Sequence, residues 1–492
     1  MPVTVREPLG PTAAAALVFG SSAAVLVVEL ASLRLLAPYL GLTLETNTLV
    51  IGLALTAIAA GAWLGGQAAD RIPPRRALGP LLGVAGIAVA LMPSVMRSAA
   101  AVGDGSLLLP VATLVIVVPA ALLSAVTPMV VKLRLTNLDE TGSVVGRLSG
   151  IGTVGAIAGT VLTGFVLISL APVSAILVGL GLLLVVASLV VDLRVRGRRS
   201  AGVPLALVAV AGIGAAAAPG GCDAETQYHC AVVTTDPDRP TGRVLVLDGL
   251  RHSYVDTTDP TYLDFEYIQA MAAYVDSAYP PQQPLRAYHL GGGGLTLPRY
   301  LAEVRPGTRS LVSEIDPGVV EVDTEQLGLV TGEDLEVRVE DGRVGMRRLE
   351  DASRDLVVGD AFGGVSVPFH LTTVEAMTEV RRVLEDDGRY VANLIDHGPM
   401  SFARAELATL REVFGHLALA GRPEGLSGED GGNLVAVASM APLDVEAWAA
   451  ALDERGTGWV VITGEALDAW IDDAPVLRDD YAPVDQLLTP WG

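Results

Sequence analysis

Tyr288-His289-Leu290-Gly291-Gly292-Gly293-Gly294 runs into a helical pattern through Leu297, Arg299, Tyr300 and Leu301, and then into Ser310-Leu311-Val312-Ser313-Glu314-Ile315-Asp316. The first segment reads as an apolar strand ending in a glycine turn, the last as a strand carrying an acid at its tip. Glycines at a strand-to-helix turn let backbone approach a ligand closely, with the helix N-terminus facing it. In such a βαβ unit an acid roughly 20 residues beyond the turn is placed to grip a ribose hydroxyl pair. Two further strands end in the same way. One stops at Glu340-Asp341-Gly342, and Leu356-Val357-Val358-Gly359 stops at Asp360. Three consecutive strands thus deliver a carboxylate at their C-terminal ends, where open α/β sheets bind ligands. The glycine turn alone is a weak signal; the ordered series predicts a Rossmann-like α/β domain with a nucleoside site.

Upstream the chain changes character. Apolar runs at about 13–37, 46–69, 77–96, 106–131, 146–169, 172–191 and 202–218 alternate with short polar loops. Each approaches the roughly 20 residues that a bilayer core demands, so an α-helical bundle of about seven transmembrane helices is expected, with the lipid bilayer as partner. No cleavage pattern precedes the first run, which is read as retained. Gly61, Gly65 and Gly66, and again Gly155 and Gly159, recur at helix-packing spacing. Pro119 and Pro128 suggest a broken fourth helix. Glu29 and Arg34 near the end of the first span either pair, line a path for a charged solute, or snorkel to the interface.

Charge is divided along the chain. Residues 1–221 hold 13 basic and 8 acidic residues, the remainder 20 basic and 47 acidic, within a net charge of −22. An apolar, mildly basic front and an acidic back fit a membrane domain followed by a water-soluble one. So acidic a soluble half argues against nucleic acid as a partner. Its field attracts cations, or serves solubility alone. Arg71, Arg75 and Arg76, then Lys132, Arg134 and Arg147, then Arg194, Arg196, Arg198 and Arg199 follow the even-numbered spans. The positive-inside rule puts these loops and the N-terminus in the cytoplasm, and a seventh crossing would put the soluble half on the outer face.

Three regions follow from this reading: a helical membrane domain over 1–219, a junction with a β-hairpin over 220–252, and the Rossmann-like domain over 253–492. The junction contains the chain's two cysteines, Cys222 and Cys230. A pair this close, just beyond the membrane, suggests a disulfide in an oxidising compartment, with two unpaired thiols as the alternative. No metal site is expected there, because His229 is the one neighbouring imidazole and no second ligand pair exists.

From about 222 to 440 the sequence resembles the spermidine synthases, the polyamine aminopropyltransferases, in the bacterial form fused to membrane helices. The markers occur in order: Leu247-Asp248-Gly249, Phe265-Glu266-Tyr267, the glycine run, Glu314-Ile315-Asp316, Asp341-Gly342 and Asp360. The resemblance implies a multi-pass membrane enzyme that moves an aminopropyl group from decarboxylated S-adenosylmethionine to an amine, leaving methylthioadenosine. It implies that Gly291, Gly292, Gly293, His252, Glu314, Asp341 and Gly342 lie on the nucleoside side, with Glu314 on the ribose and Asp341 and Gly342 on the adenine. It further implies that Tyr267 and Asp360 face the amine, with Asp360 taking the proton, and that the protein forms a homodimer. The segment Asp479-Asp480-Tyr481-Ala482-Pro483-Val484-Asp485 is similar to the end of the fused members, without an assigned role.

The departures fall on the amine side. The family has an aspartate where this chain has Gly294, a His-Glu pair where it has Ile268-Gln269, a glutamine where it has His252, and a second aspartate where it has Gly363. Two other functions therefore stand beside aminopropyl transfer. One is a non-catalytic protein that binds or transports a polyamine or nucleoside; the other is a methyltransferase using S-adenosylmethionine on the same sheet.

Overall fold

The computed structural model describes residues 9–40, 43–100, 107–135, 138–196, 221–364 and 366–488. These form two compact units, Met1–His229 and Cys230–Gly492.

The first unit contains six helices long and apolar enough to cross a bilayer: α1 (Pro11–Leu40), α2 (Leu44–Arg71), α3 (Pro74–Ala100), α4 (Leu108–Arg134), α5 (Thr141–Leu170) and α6 (Val173–Arg194). The seventh expected span, 202–218, lies outside the described residues. Trp63, Leu114, Phe165 and Leu170 stand exposed on the bundle, as lipid-facing side chains do. α4 is interrupted at Ala125, between Leu108–Ser124 and Val126–Arg134. Pro128 lacks the N–H that would bond to the carbonyl of Ser124, so the break falls one turn before the proline. Glycines set the helix contacts. A Cβ on Gly61 would meet the Ala121 carbonyl oxygen at 2.2 Å, and one on Gly155 the Phe19 oxygen at 2.3 Å. α2 against α4, and α5 against α1, therefore touch backbone to backbone. Towards the junction, Glu225 pairs with Arg97 and accepts from the N–H and hydroxyl of Ser174 at 3.1 and 2.8 Å. Arg34 lies over the Tyr228 ring, 4.8 Å from its centroid.

The second unit opens with β1 (Cys230–Thr235), β2 (Gly242–Leu247) and β3 (Leu250–Asp256). The expected hairpin is thus extended by a third strand into an antiparallel meander. Asp248 and Gly249 both have positive φ, 52° and 82°, the geometry of the two-residue turn that an Asp-Gly pair favours. Both cysteines of the chain are disulfide-bonded.

After α7 (Glu266–Ala278) come the parallel strands β4 (Arg286–Leu290), β5 (Arg309–Glu314), β6 (Leu335–Val339) and β7 (Arg354–Gly359). β8 (Leu384–Asp396) continues them, and β9 (His416–Gly421), β10 (Gly432–Ser439) and β11 (Val460–Thr463) add an antiparallel extension. The spatial order is β11-β9-β10-β8-β7-β4-β5-β6. β4 therefore lies between β5 and β7, and the strand order reverses there, where a crevice opens beyond the carboxyl ends. Apolar residues cover both faces, as in buried parallel sheets. Tyr288, Leu290, Val357 and Tyr390 pack on one side, and Ala287, Leu356, Val358 and Val391 on the other with α7.

Candidate active site

Strand register decides which side chains meet. His289 pairs with Val312 on β5 and with Val358 on β7, and Val358 pairs with Val391 on β8. Side chains alternate along a strand, so His289, Glu314, Asp360 and Asn393 all belong to the face covered by α7. The strand ends are held together by backbone bonds: Gly291 N–H to the Ser313 oxygen, and Asp360 N–H to the Leu290 oxygen, at 3.0 and 2.9 Å. Gly291 has φ +91°, and a Cβ there would sit 2.3 Å from the Asp360 oxygen. Only glycine lets the tips of β4 and β7 lie this close.

A small cavity, open to solvent on one side, lies at this point, with Tyr267, His289, Gly291, Gly292 and Asp360 among its walls. Asp360 is half-buried. Asn393 Nδ2 donates to its Oδ1 at 2.8 Å and Tyr267 Oη to its Oδ2 at 3.3 Å. Burial pushes its carboxyl up to about 6, while those two bonds, which favour the ionised form, hold the rise back. Burial, followed by the charge of Asp360, raises the Tyr267 phenol well above its ordinary value, so it remains a donor. Asn393 is fixed in turn by Asn433 Nδ2, 2.9 Å from its Oδ1. A carboxylate poised near neutrality, oriented by two donors and open to a cavity, has the attributes of a general base.

Glu314 reaches the cavity rim through backbone: its Oε2 accepts from Gly292 N–H at 2.8 Å and its Oε1 from Asp316 N–H at 2.9 Å. Gly293, with φ +47°, follows in the same turn. Asp341 lies further along the sheet edge and does not line the cavity. It caps Gly342–Met346, accepting from Val344 N–H at 2.9 Å, and its other oxygen is 2.8 Å from His370 Nε2. Burial acts to raise its carboxyl, but the Val344 and His370 bonds outweigh it and the net shift is downward. Gly342 packs against Leu290, and His252, on β3, is likewise not among the cavity walls.

The departures have structural explanations. Gly294 donates its N–H to Ser253 Oγ at 2.9 Å, and a Cβ on it would meet Ser253 Cβ and Val255 Cγ2 at 2.9 Å. The meander occupies the space that a side chain at 294 would need. Ile268 is a cavity wall, while Gln269 turns back to the Leu263 carbonyl at 2.8 Å. Gly363 is different: the nearest atom to a Cβ there is the Ser366 oxygen at 3.9 Å.

Sequence reasoning missed Asn393, Asn433, His370 and the place of His289 in the cavity wall, because isolated amides and imidazoles in or after strands carry no spacing signature. It also left the Asp479 segment unassigned. Asp479 forms a two-pronged pair with Arg343 at 2.7 and 2.8 Å and accepts from Thr373 Oγ1 at 2.7 Å. It fastens the C-terminal segment to the helix that Asp341 caps.

A sheet with this strand order, acids at adjacent strand tips and an oriented, partly buried carboxylate defines a Rossmann-like α/β domain with a candidate general base. No family model matches the chain. It is 30% identical over 225 residues to a polyamine aminopropyltransferase of Vibrio vulnificus, across 42% of this chain and 70% of that protein. It is 26% identical over 196 residues to a probable polyamine aminopropyl transferase of Bifidobacterium longum, across 39% of this chain and 42% of that protein. The crystal structure of a probable spermidine synthase from Corynebacterium glutamicum overlays with a TM-score of 0.51 at 28% identity, covering 55% of this chain and 100% of that one. The chain belongs to the polyamine aminopropyltransferase, or spermidine synthase, family, with membrane-type helices added in front.

Proposed function

We propose that this protein is a membrane-anchored aminopropyltransferase that uses decarboxylated S-adenosylmethionine and in which Asp360 is the general base. An alkylamine is almost wholly protonated at neutral pH, so it needs a partner that holds the cation and removes one proton. The attacking nitrogen then bonds to the methylene carbon beside the sulfonium. The carbon–sulfur bond breaks, its electron pair returns to sulfur, and methylthioadenosine leaves; the ammonium proton passes to Asp360 and on to water. Glu314 takes the ribose hydroxyls, exchanging its bond with Gly292 N–H for them. Asp341 and Gly342 take the adenine, and Tyr267 steers the carboxylate of Asp360 and the amine. The observation that carries this reading is Asp360 itself, oriented by Asn393 and Tyr267 at the wall of a cavity shared with the glycine turn.

The helices hold the protein in the bilayer with the N-terminus in the cytoplasm. The loop charges, with a seventh crossing, and the disulfide favour the outer face for the soluble unit, where the donor would have to be supplied. Labelling of Cys222 and Cys230 on intact cells, with and without reductant, tests that side. Methylthioadenosine release from purified full-length protein, given decarboxylated S-adenosylmethionine and an amine, tests the reaction. Donor-site stabilisation without release under any acceptor would replace it with the binding function.

A further inference from the structure

The cavity beside Asp360 is sparing in charge. Among the described residues Asp360 is the one carboxylate in its walls, which also include the apolar Phe265, Ile268, Leu297, Pro298 and Val358. Acids that bond to or flank its wall residues are engaged elsewhere: Glu314 with Gly292 and Asp316 N–H, Asp264 with Arg251 at 3.0 Å, and Glu266 with Arg422. Its hydroxyls are also engaged, Ser253 Oγ accepting from Gly294 N–H and Thr296 Oγ1 donating to the Tyr254 oxygen, both at 2.9 Å.

His289 stands apart from these. It lies on the central strand β4, on the same sheet face as Asp360 and one step deeper along the pleat, level with Val358. It is 2% exposed, it lines the cavity, and its Nε2 is buried without a hydrogen-bond partner. A buried polar nitrogen left unpaired is destabilising unless something in the cavity satisfies it. Burial also drives this imidazole down to about 3, so it is uncharged at working pH.

We propose that the cavity takes an acceptor bearing one charged nitrogen and an uncharged, hydrogen-bonding far end, and that His289 receives that far end. This rests on the aminopropyl-transfer reading and names its acceptor class. The ammonium meets Asp360, the alkyl chain meets the apolar walls, and a terminal hydroxyl meets His289 Nε2. A hydroxyl both donates and accepts, so it satisfies that nitrogen in either tautomer. A second ammonium would carry a charge to the floor of the cavity, where the residue present is neutral and no anion compensates it.

Three acceptors of equal length separate the possibilities: 4-aminobutan-1-ol, pentylamine and 1,4-diaminobutane. Methylthioadenosine release by the full-length protein in detergent, at saturating donor, gives kcat/KM for each. The amino alcohol is expected to exceed the diamine by about tenfold or more, with pentylamine between them. In His289→Leu the amino alcohol loses its advantage over pentylamine, and His289→Gln, which retains a hydrogen-bonding group, restores part of it. Preference for the diamine, or an alcohol-to-alkyl ratio that His289→Leu leaves unmoved, overturns the proposal. If no acceptor is turned over, thermal shifts with methylthioadenosine present decide. The same order of stabilisation upholds the cavity assignment and removes the transfer reading, whereas a diamine-first order, or no shift from any of the three, removes the assignment itself.

Discussion

Asn393 Nδ2 donates to Asp360 Oδ1 at 2.8 Å, and this bond joins the last parallel strand of the sheet to the one that carries the proposed base. It fixes one carboxylate oxygen while Tyr267 approaches the other. The pair therefore controls both where the Asp360 carboxylate points and how readily it holds a proton.

Asp360→Asn keeps the shape and removes the proposed base. Turnover should fall by about 10² to 10⁴, the usual worth of general base catalysis. Thermal stability should hold or rise slightly, because burial disfavours the ionised carboxylate that is lost. Steady-state release of methylthioadenosine beside a melting curve reads both.

The pH profile should have an acid limb near 6. Asp360 acts as a base only when ionised, so kcat/KM declines as pH falls through its pKa of about 6. Asn393→Leu removes the larger of the two bonds that favour the ionised form, so the limb should move to higher pH. Tyr267→Phe should move it the same way by less. A limb that stays put in both variants would show that another group limits the rate.

Gly294→Asp and Gly363→Asp should behave oppositely, although both restore an acid that the family carries. At 294 the new Cβ meets Ser253 and Val255 at 2.9 Å, and the meander must shift, a loss of about 1–3 kcal/mol typical of overpacking. At 363 the nearest atom is 3.9 Å away, so the variant should melt within about 0.5 kcal/mol of the parent. Denaturant unfolding of the two variants measures the contrast.

Arg343→Ala should release the C-terminal segment. The Asp479 pair is two-pronged, but Asp479 is 43% exposed, so the loss is set at about 1–2 kcal/mol. The Arg343 guanidinium, first, and the Thr373 hydroxyl hold the Asp479 carboxyl down at about 2. A depressed carboxyl contributes stability above its unfolded pKa, and the contribution disappears as pH falls from about 4 towards 2. Limited proteolysis near residue 479, faster in the variant, is the direct readout.

Much of the fold could be read along the chain because its signals are local. Span length announced the six described helices, Pro128 announced the break in α4, and acids after apolar strands announced the edge of the sheet. The surroundings of Asp360 could not be read in that way. Asn393 lies 33 residues from Asp360, and Arg343 lies 136 from Asp479, so neither partner has a spacing that marks it. The third strand of the meander was hidden because Leu250–Asp256 alternates poorly, with an exposed start and a buried end. Gly294 read as a lost acid; the structure shows a glycine made necessary by Ser253 and Val255.

The amide row Asn433–Asn393–Asp360 runs across three neighbouring strands on a single sheet face. Its geometry depends on β10 pairing with β8 in one register, Val435 opposite Asn393. A slip of one residue would turn Asn433 to the far side of the sheet and leave Asn393 free to rotate. Single-residue insertions and deletions inside Gly432–Ser439 are thus excluded, and strand positions remote from Asp360 inherit a strict constraint of parity.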